Sequence, residues 1–421
     1  MRLRAITLGI SITPQTLETT VAKSAAFLAR SAAAFRAGGF EVDTLRLTTQ
    51  PVDEALDDPG ALVELARRLE AAALAAGVDY AALGPARLAS PAAPLAWGDA
   101  LADALLATER LFGSVQIGHA EGGVSVVAAR ACARAIQRLA RATDHGMGNL
   151  RFAVQACTPP GGPFFPTGYH DGGSPQFALA LEAADLAVAA FSAGTLAACR
   201  DRLVATLEAV GGRLAAIAHA LIREEEEVRF AGIDLTLAPF PTPDRSIVAA
   251  LEQLGVRFGG PGTLAAVAFL ADTLRRVDLP RCGFSGVMLP LLEDSVLAER
   301  HAEGTITLDT LLLMSAVCGA GLDTIPLPGE TTEAQLTGIL LDVAALAVLL
   351  EKPLTARLLP VPGLGPGERT RFTFPYFANS TTARLAADGP AGTLAETPTL
   401  DLRRQVRGDR RSEVDESGVA R

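Results

Sequence analysis

Short apolar runs and longer runs with helical spacing alternate along most of this chain. Strand-like runs, apolar or β-branched, fall near 3–9, 41–48, 78–83, 113–117, 151–157, 184–191, 230–236, 284–291, 321–327 and 354–360. Helix-like segments separate them. The run 15–37 sets Ala and Leu at helical spacing, "ALVELARRLEAAALAAG" ends on Gly77 as a C-cap, and 195–228 ends in Glu224, Glu225, Glu226 and Glu227, read as a solvated end. Alternation of this kind predicts parallel strands covered by helices. About ten strands in one sheet usually curl or close. The expectation is therefore a single large α/β domain over 1–383, a barrel or strongly coiled sheet of about ten strands with surrounding helices.

Two regions break the rhythm. "CTPPGGPFFPTGYHDGGSP", 157–175, is too rich in Pro and Gly for either regular element, yet carries Phe164, Phe165 and Tyr169. Three aromatics in one segment predict an ordered, buried loop or hairpin, and a loop this long in a compact domain points to function. From 384 to 421 the hydrophobic periodicity fades into the charge-dense "RRQVRGDRRSEVDESGVAR", read as a disordered tail.

Composition narrows the function. Aromatics are 5% of the chain and charged residues 20%, with a net charge of -10 and no basic stripe, which excludes a nucleic-acid surface. The five cysteines are scattered without a Cys-x-x-Cys pair, which fits a reducing cytoplasm and argues against a zinc cage or redox dithiol. "MRLRAITLGI" reads as a strand rather than a signal peptide. No uncharged run reaches the roughly 20 residues of a membrane span, and the nearest, "TGILLDVAALAVLL", carries Asp342.

Candidate chemistry is sought after the strands, since ligands in parallel α/β sheets sit at strand carboxyl ends. Asp234, an acid in an apolar strand, must be paired or face a cavity. Asp244 or Ser246 caps the helix that follows. Gly259, Gly260 and Gly262 with Thr263 open a helix whose N–H groups suit a carboxylate or phosphate, or form a plain turn and cap. Ser285 precedes its strand, so it fits a nucleophile elbow poorly, and close backbone approach explains Gly283 and Gly286 better. Glu293 and Asp294 offer acid/base groups or caps at a strand end. His170 is a candidate base or a histidine bonded to backbone, and with the His119-x-Glu121 spacing it forms at most part of a metal site. His219 and His301 look like surface residues. In "MSAVCGAGLDTIPLPGET", Cys318 stands at a helix–strand junction and is either a working thiol or a small core residue, with Asp323 as a ligand contact just beyond.

The stretches "RAITLGI", "IDLTLAPFPTPDRSIVAALEQLG", "GGPGTLAAVAFLAD", "GFSGVMLPLLED" and "VCGAGLDTIPLPGET" together resemble the domain-of-unknown-function 711 family, also called uncharacterised protein family 0210. The resemblance is strong over 230–331 and weak over 10–150. It implies a fold similar to pyruvate formate-lyase, a ten-stranded α/β barrel with a loop inside, and a homodimer. The Arg-Val-x-Gly-Tyr motif of glycyl-radical enzymes is absent, because "QVRGDRR" puts Gln405 for Arg and Asp409 for Tyr around Gly408. The Phe-Phe loop and the tail also depart from the family pattern. Together these readings predict an enzyme acting on a small carboxylate-bearing metabolite without a glycyl radical, of lyase or transferase type. Cys318, His170, Asp234 and Glu293 are its catalytic candidates. Gly259, Gly260, Gly262, Thr263, Ser285, Gly286 and Asp323 would bind a carboxylate or phosphate. No cofactor is specified, and neither nucleic acid nor membrane is expected as a partner. The alternative is a metabolite-binding regulatory protein without turnover.

Overall fold

Thirteen strands form one mixed sheet in the computed structural model, which describes residues 2–90, 95–225 and 227–402. In chain order they are β1 (Arg2–Ile10), β2 (Glu41–Val42), β3 (Leu45–Pro51), β4 (Tyr80–Gly84), β5 (Ala86–Arg87), β6 (Leu111–His119), β7 (Gly123–Ser125), β8 (Phe152–Ala156), β9 (Gln176–Glu182), β10 (Arg229–Ala238), β11 (Gly321–Pro328), β12 (Leu354–Val361) and β13 (Thr399–Leu400). The main path runs β10-β9-β1-β3-β4-β6-β8-β12-β11. Within it β1, β3, β4, β6 and β8 are parallel. The pairs β9–β10 and β11–β12 are parallel within themselves but join this block antiparallel, at β1–β9 and β8–β12. The expected all-parallel sheet is thus corrected to a mixed one. The reversal follows from 157–175, which leaves β8 and re-enters the sheet as β9 without a crossover helix.

The run expected as a strand at 184–191 is a helix, Ala184–Ala190, and the strand lies just before it at β9. Both stretches are apolar, and the alanines that fill 184–190 favour helix. The run at 284–291 belongs to an extended segment rather than a regular strand. That segment touches both free edges of the path, through the parallel bridges Ile233–Arg281 and Pro290–Asp323, without a continuous ladder to either.

Helices cover the sheet. Leu17–Ala37 buries Val21, Ala25, Leu28, Ala32 and Phe35, one stripe at spacings of three and four. Glu333–Leu349 starts in a capping box between Thr332 and Gln335. Leu196–Glu224 is long and apolar enough by length and composition to cross a membrane, but it carries Arg200, Asp201, Arg202, Glu208 and Arg213 and packs beside β10. Glu225 and Glu227 at its end pair with Arg30 and Lys23 of the first helix. Part of 384–402 packs on the fold. Thr399–Leu400 pairs with β7, and Gln335 donates to the Ala387 carbonyl. Gly408 and the rest of 403–421 lie outside the described residues.

Candidate functional site

The inner face of the sheet carries polar residues at strand spacing. On β3 these are Arg46, Thr48 and Gln50, and on β10 Asp234 and Thr236. The 157–175 loop lies against this face. The Thr48 hydroxyl donates to the Gly168 carbonyl at 2.6 Å, and the His170 N–H donates to Thr49 at 2.9 Å.

Beside the loop is a cavity of about 140 Å³. It is lined by the first residues of the five-strand block, including Arg4, Arg46, Tyr80 and Phe112, and by the last residues of β9 and β10. Because β9 and β10 run opposite to the block, their carboxyl ends meet the block's amino ends. Phe164 and Phe165 of the loop form one wall, and Phe374 and Tyr376, from an irregular segment after β12, form another.

Charges in the cavity are mostly paired. Arg357 on β12 is held by Asp323 at 2.6 and 3.0 Å and by Glu293 at 2.8 Å. Burial works against its charge, but the two carboxylates outweigh that and raise its pKa. The other Glu293 oxygen takes Arg4 at 3.3 Å, and Arg4 also reaches the buried Glu182 at 3.0 Å. Arg46 differs. Its Nε donates to the Thr44 hydroxyl at 2.9 Å and its guanidinium lies 5.1 Å from the Phe165 ring centre. Among the described residues no carboxylate forms an ion pair with it, and burial, then Arg4, brings its pKa down to about 10. Among the described residues its two Nη groups have no hydrogen-bond partner.

Asp234 is buried, and four donors converge on it. The Thr236 N–H (2.9 Å), the Thr236 hydroxyl (2.6 Å) and the Ser285 N–H (2.9 Å) reach Oδ1, whereas Oδ2 takes only the Phe284 N–H at 3.2 Å. Burial outweighs these bonds and raises its pKa. Gly283, at φ +61°, is needed here, because a Cβ would stand 2.2 Å from Asp234 Oδ2.

The cavity therefore brings together Asp234 and Glu293, with Asp323 behind Arg357 as its brace. The other candidates lie elsewhere. Ser285 is spent on structure: its N–H serves Asp234 and its hydroxyl donates to the Cys282 carbonyl at 2.8 Å. Gly286 packs backbone to backbone with Gly319, where a Cβ would come within 2.6 Å of the Gly319 Cα. Cys318 lines a second cavity, of about 430 Å³, with Ser285, Gly286, Arg275 and Lys352. The Lys352 amine donates to the Ser315 carbonyl at 2.8 Å, and burial lowers its pKa. Residues 283–286 stand between the two cavities.

His170 is fully buried in the loop and lines neither cavity. Its Nε2 is 3.0 Å from the Gly173 carbonyl, and Nδ1 packs against Gly9 with no hydrogen-bond partner and the Asp171 carboxylate 3.5 Å away. Gly259, Gly260, Gly262 and Thr263 form a closed turn, in which the Thr263 hydroxyl accepts from the Gly259 N–H and donates to the Gly260 carbonyl. His301 is buried rather than on the surface, with Nδ1 3.1 Å from the Ser380 hydroxyl and its pKa pushed down to about 4 by burial. Asp294 is a buried cap, accepting from Val296, Leu297 and Ser246. Among the described residues no group of three or more His, Cys, Asp or Glu is placed to hold a metal ion.

Sequence reasoning missed Arg4, Arg46 and Arg357, although a charge inside an apolar strand marked them as it marked Asp234. Phe374 and Tyr376 carried no such signal, since packing alone brings their segment over the cavity.

Fold and site together define an α/β protein with a charged, aromatic-walled cavity on the inner face of a mixed sheet. The family model described as "Uncharacterised ACR (DUF711)" matches residues 1–380, and the chain belongs to that family. It is 33% identical over 347 residues to a UPF0210 protein of Pyrobaculum arsenaticum, covering 78% of this chain and 76% of the relative. It is also 35% identical over 346 residues to one of Pyrobaculum aerophilum, with the same coverage. A UPF0210 protein of Methanospirillum hungatei is 28% identical over 403 residues, covering 88% of this chain and 87% of that one.

Proposed function

We propose that the chain is an enzyme acting on a small carboxylate-bearing metabolite bound in the Arg46–Asp234 cavity. The observation that carries this is the unpaired Arg46. A half-buried cation without a counter-ion, open to a cavity, is a ready site for an anion. The two free Nη groups suit a carboxylate held end-on. Asp234, with its pKa raised by burial, holds a proton to higher pH than an ordinary carboxyl, and Oδ2 is the oxygen with room for it. Proton delivery next to a fixed carboxylate suits lyase chemistry. Transfer through the Cys318 thiol would need a path past residues 283–286.

The architecture that goes with this reading is a ten-stranded barrel of pyruvate formate-lyase type, closed by the 281–290 segment with the 157–175 loop inside. The bridges from that segment to both β10 and β11 support it. The free state of all five cysteines supports a cytoplasmic location, and the homodimer follows from the family resemblance.

The test is a thermal-unfolding screen of small carboxylates on wild type and Arg46→Met, followed by NMR of each binder for turnover. A ligand at about 100 times its Kd stabilises by about 2.7 kcal/mol. Stabilisation of wild type alone, with turnover lost in Asp234→Asn, is the expected outcome. Equal stabilisation of both proteins overturns the anion site. Binding without turnover in wild type leaves the regulatory binder as the correct reading.

A further inference from the structure

We infer that the ligand of this cavity is a planar monocarboxylate, with an aromatic or conjugated body about the size of a single ring. The inference rests on reading the cavity as an anion site and adds the ligand's charge, shape and size.

Charge comes from pairing. Three arginines face the cavity, but Arg357 is matched by Asp323 and Glu293, and Arg4 by Glu182 and Glu293. Glu182 also takes Arg245 at 2.9 Å, and Asp43 at the cavity edge takes Arg2 at 3.4 Å. Arg46 is the cation left over among the described residues. One guanidinium with no ion pair, open on its Nη side, anchors one carboxylate. A second carboxylate, or a phosphate carrying about two charges, would have to lie near Glu293, Asp43 or Asp234 with no cation of its own.

Shape comes from the walls. Aromatics are only 5% of the chain, yet Tyr80, Phe112, Phe164, Phe165, Phe374 and Tyr376 all line this cavity. Tyr80 and Phe112 meet edge to face at 5.6 Å, and Phe112 continues to Phe165 at 5.4 Å, the ring on which Arg46 rests. This wall starts at Phe165 beside the anion anchor and offers ring faces and edges to a flat partner. Size comes from the volume. The cavity's 140 Å³ compares with the roughly 150 Å³ of an apolar cavity that accepts benzene.

The experiment is isothermal titration calorimetry on the full chain with acetate, benzoate, cyclohexanecarboxylate, succinate and inorganic phosphate. Benzoate is expected to bind, cyclohexanecarboxylate to bind about 3–10-fold more weakly for want of ring contacts, and succinate and phosphate more weakly still. Phe165→Leu, checked for folding by its unliganded thermal transition, is expected to erase the preference for benzoate over cyclohexanecarboxylate. Succinate or phosphate binding as tightly as benzoate overturns the monoanion, and equal affinity for the two ring acids overturns the planar body. In either case the anion site survives. If none of the five anions binds, the anion site and this inference both fail.

Discussion

The two cavities on either side of residues 283–286 are built on opposite principles. The Arg46–Asp234 cavity is made by strands that place charged residues on the inner face of the sheet, each fixed by named partners except one guanidinium. The Cys318 cavity is made by a junction, where Gly286 and Gly319 touch and a helix gives way to β11. Glycines there answer to the neighbouring backbone, and Lys352 is already bonded to a carbonyl. The first cavity retains unsatisfied binding capacity at Arg46 and a carboxyl with a shifted pKa. The difference teaches that a charge inside an apolar strand marks a polar, aromatic-walled cavity, whereas a thiol beside a glycine turn marks a backbone junction.

The sharpest way to break this comparison is Arg357→Met. It would leave the buried Asp323 without its cation and Glu293 with Arg4 alone, so a loss of about 3–5 kcal/mol is expected in urea unfolding. A loss below 1 kcal/mol, the range of exposed pairs, would show that the network is solvated and the cavity loosely organised. Gly283→Ala comes next. The strained φ and the clash with Asp234 Oδ2 predict about 1–3 kcal/mol of destabilisation with weakened ligand binding, whereas an unchanged Tm and affinity would detach this turn from the site.

Asp234 gives a pH signature. Its folded pKa is raised above the unfolded value, so its contribution is fully present below the ordinary carboxyl pKa, near 3.8, and is lost as pH rises through the folded pKa. The stability difference between wild type and Asp234→Asn should therefore fall over that window. A difference that stays flat or rises would mean that the carboxyl is not held protonated by burial. The smallest effect is expected at Cys318→Ala. Benzoate affinity should stay within about twofold, since the thiol faces the other cavity and separated sites act independently. A loss beyond tenfold would join the two cavities into one site.

Much of the scaffold was legible. The runs that became β1, β4, β6, β8, β10, β11 and β12 are mostly apolar, with no strict alternation, which marks strands buried on both faces. Strand direction was not legible, because it depends on where the 157–175 loop returns rather than on any local pattern. The strand placed at 184–191 slipped by one element, because the apolar stretch is continuous from β9 into the following helix. Of the candidates, Asp234 and Glu293 were picked out by their positions in the strand pattern and both line the Arg46 cavity, and Arg46 was within reach of the same argument. Cys318, His170 and the Gly259–Thr263 turn drew notice by residue type. Their surroundings, a glycine junction, a carbonyl-bonded ring and a closed turn, emerge only from tertiary packing.

The most direct measurement is a crystal structure of the chain with benzoate. The account predicts both carboxylate oxygens about 2.7–2.9 Å from the two Arg46 Nη atoms, with the ring against Phe165 and Phe112. Benzoate seated beside Cys318 and Lys352, or Arg46 turned away from a ligand inside the cavity, would contradict it.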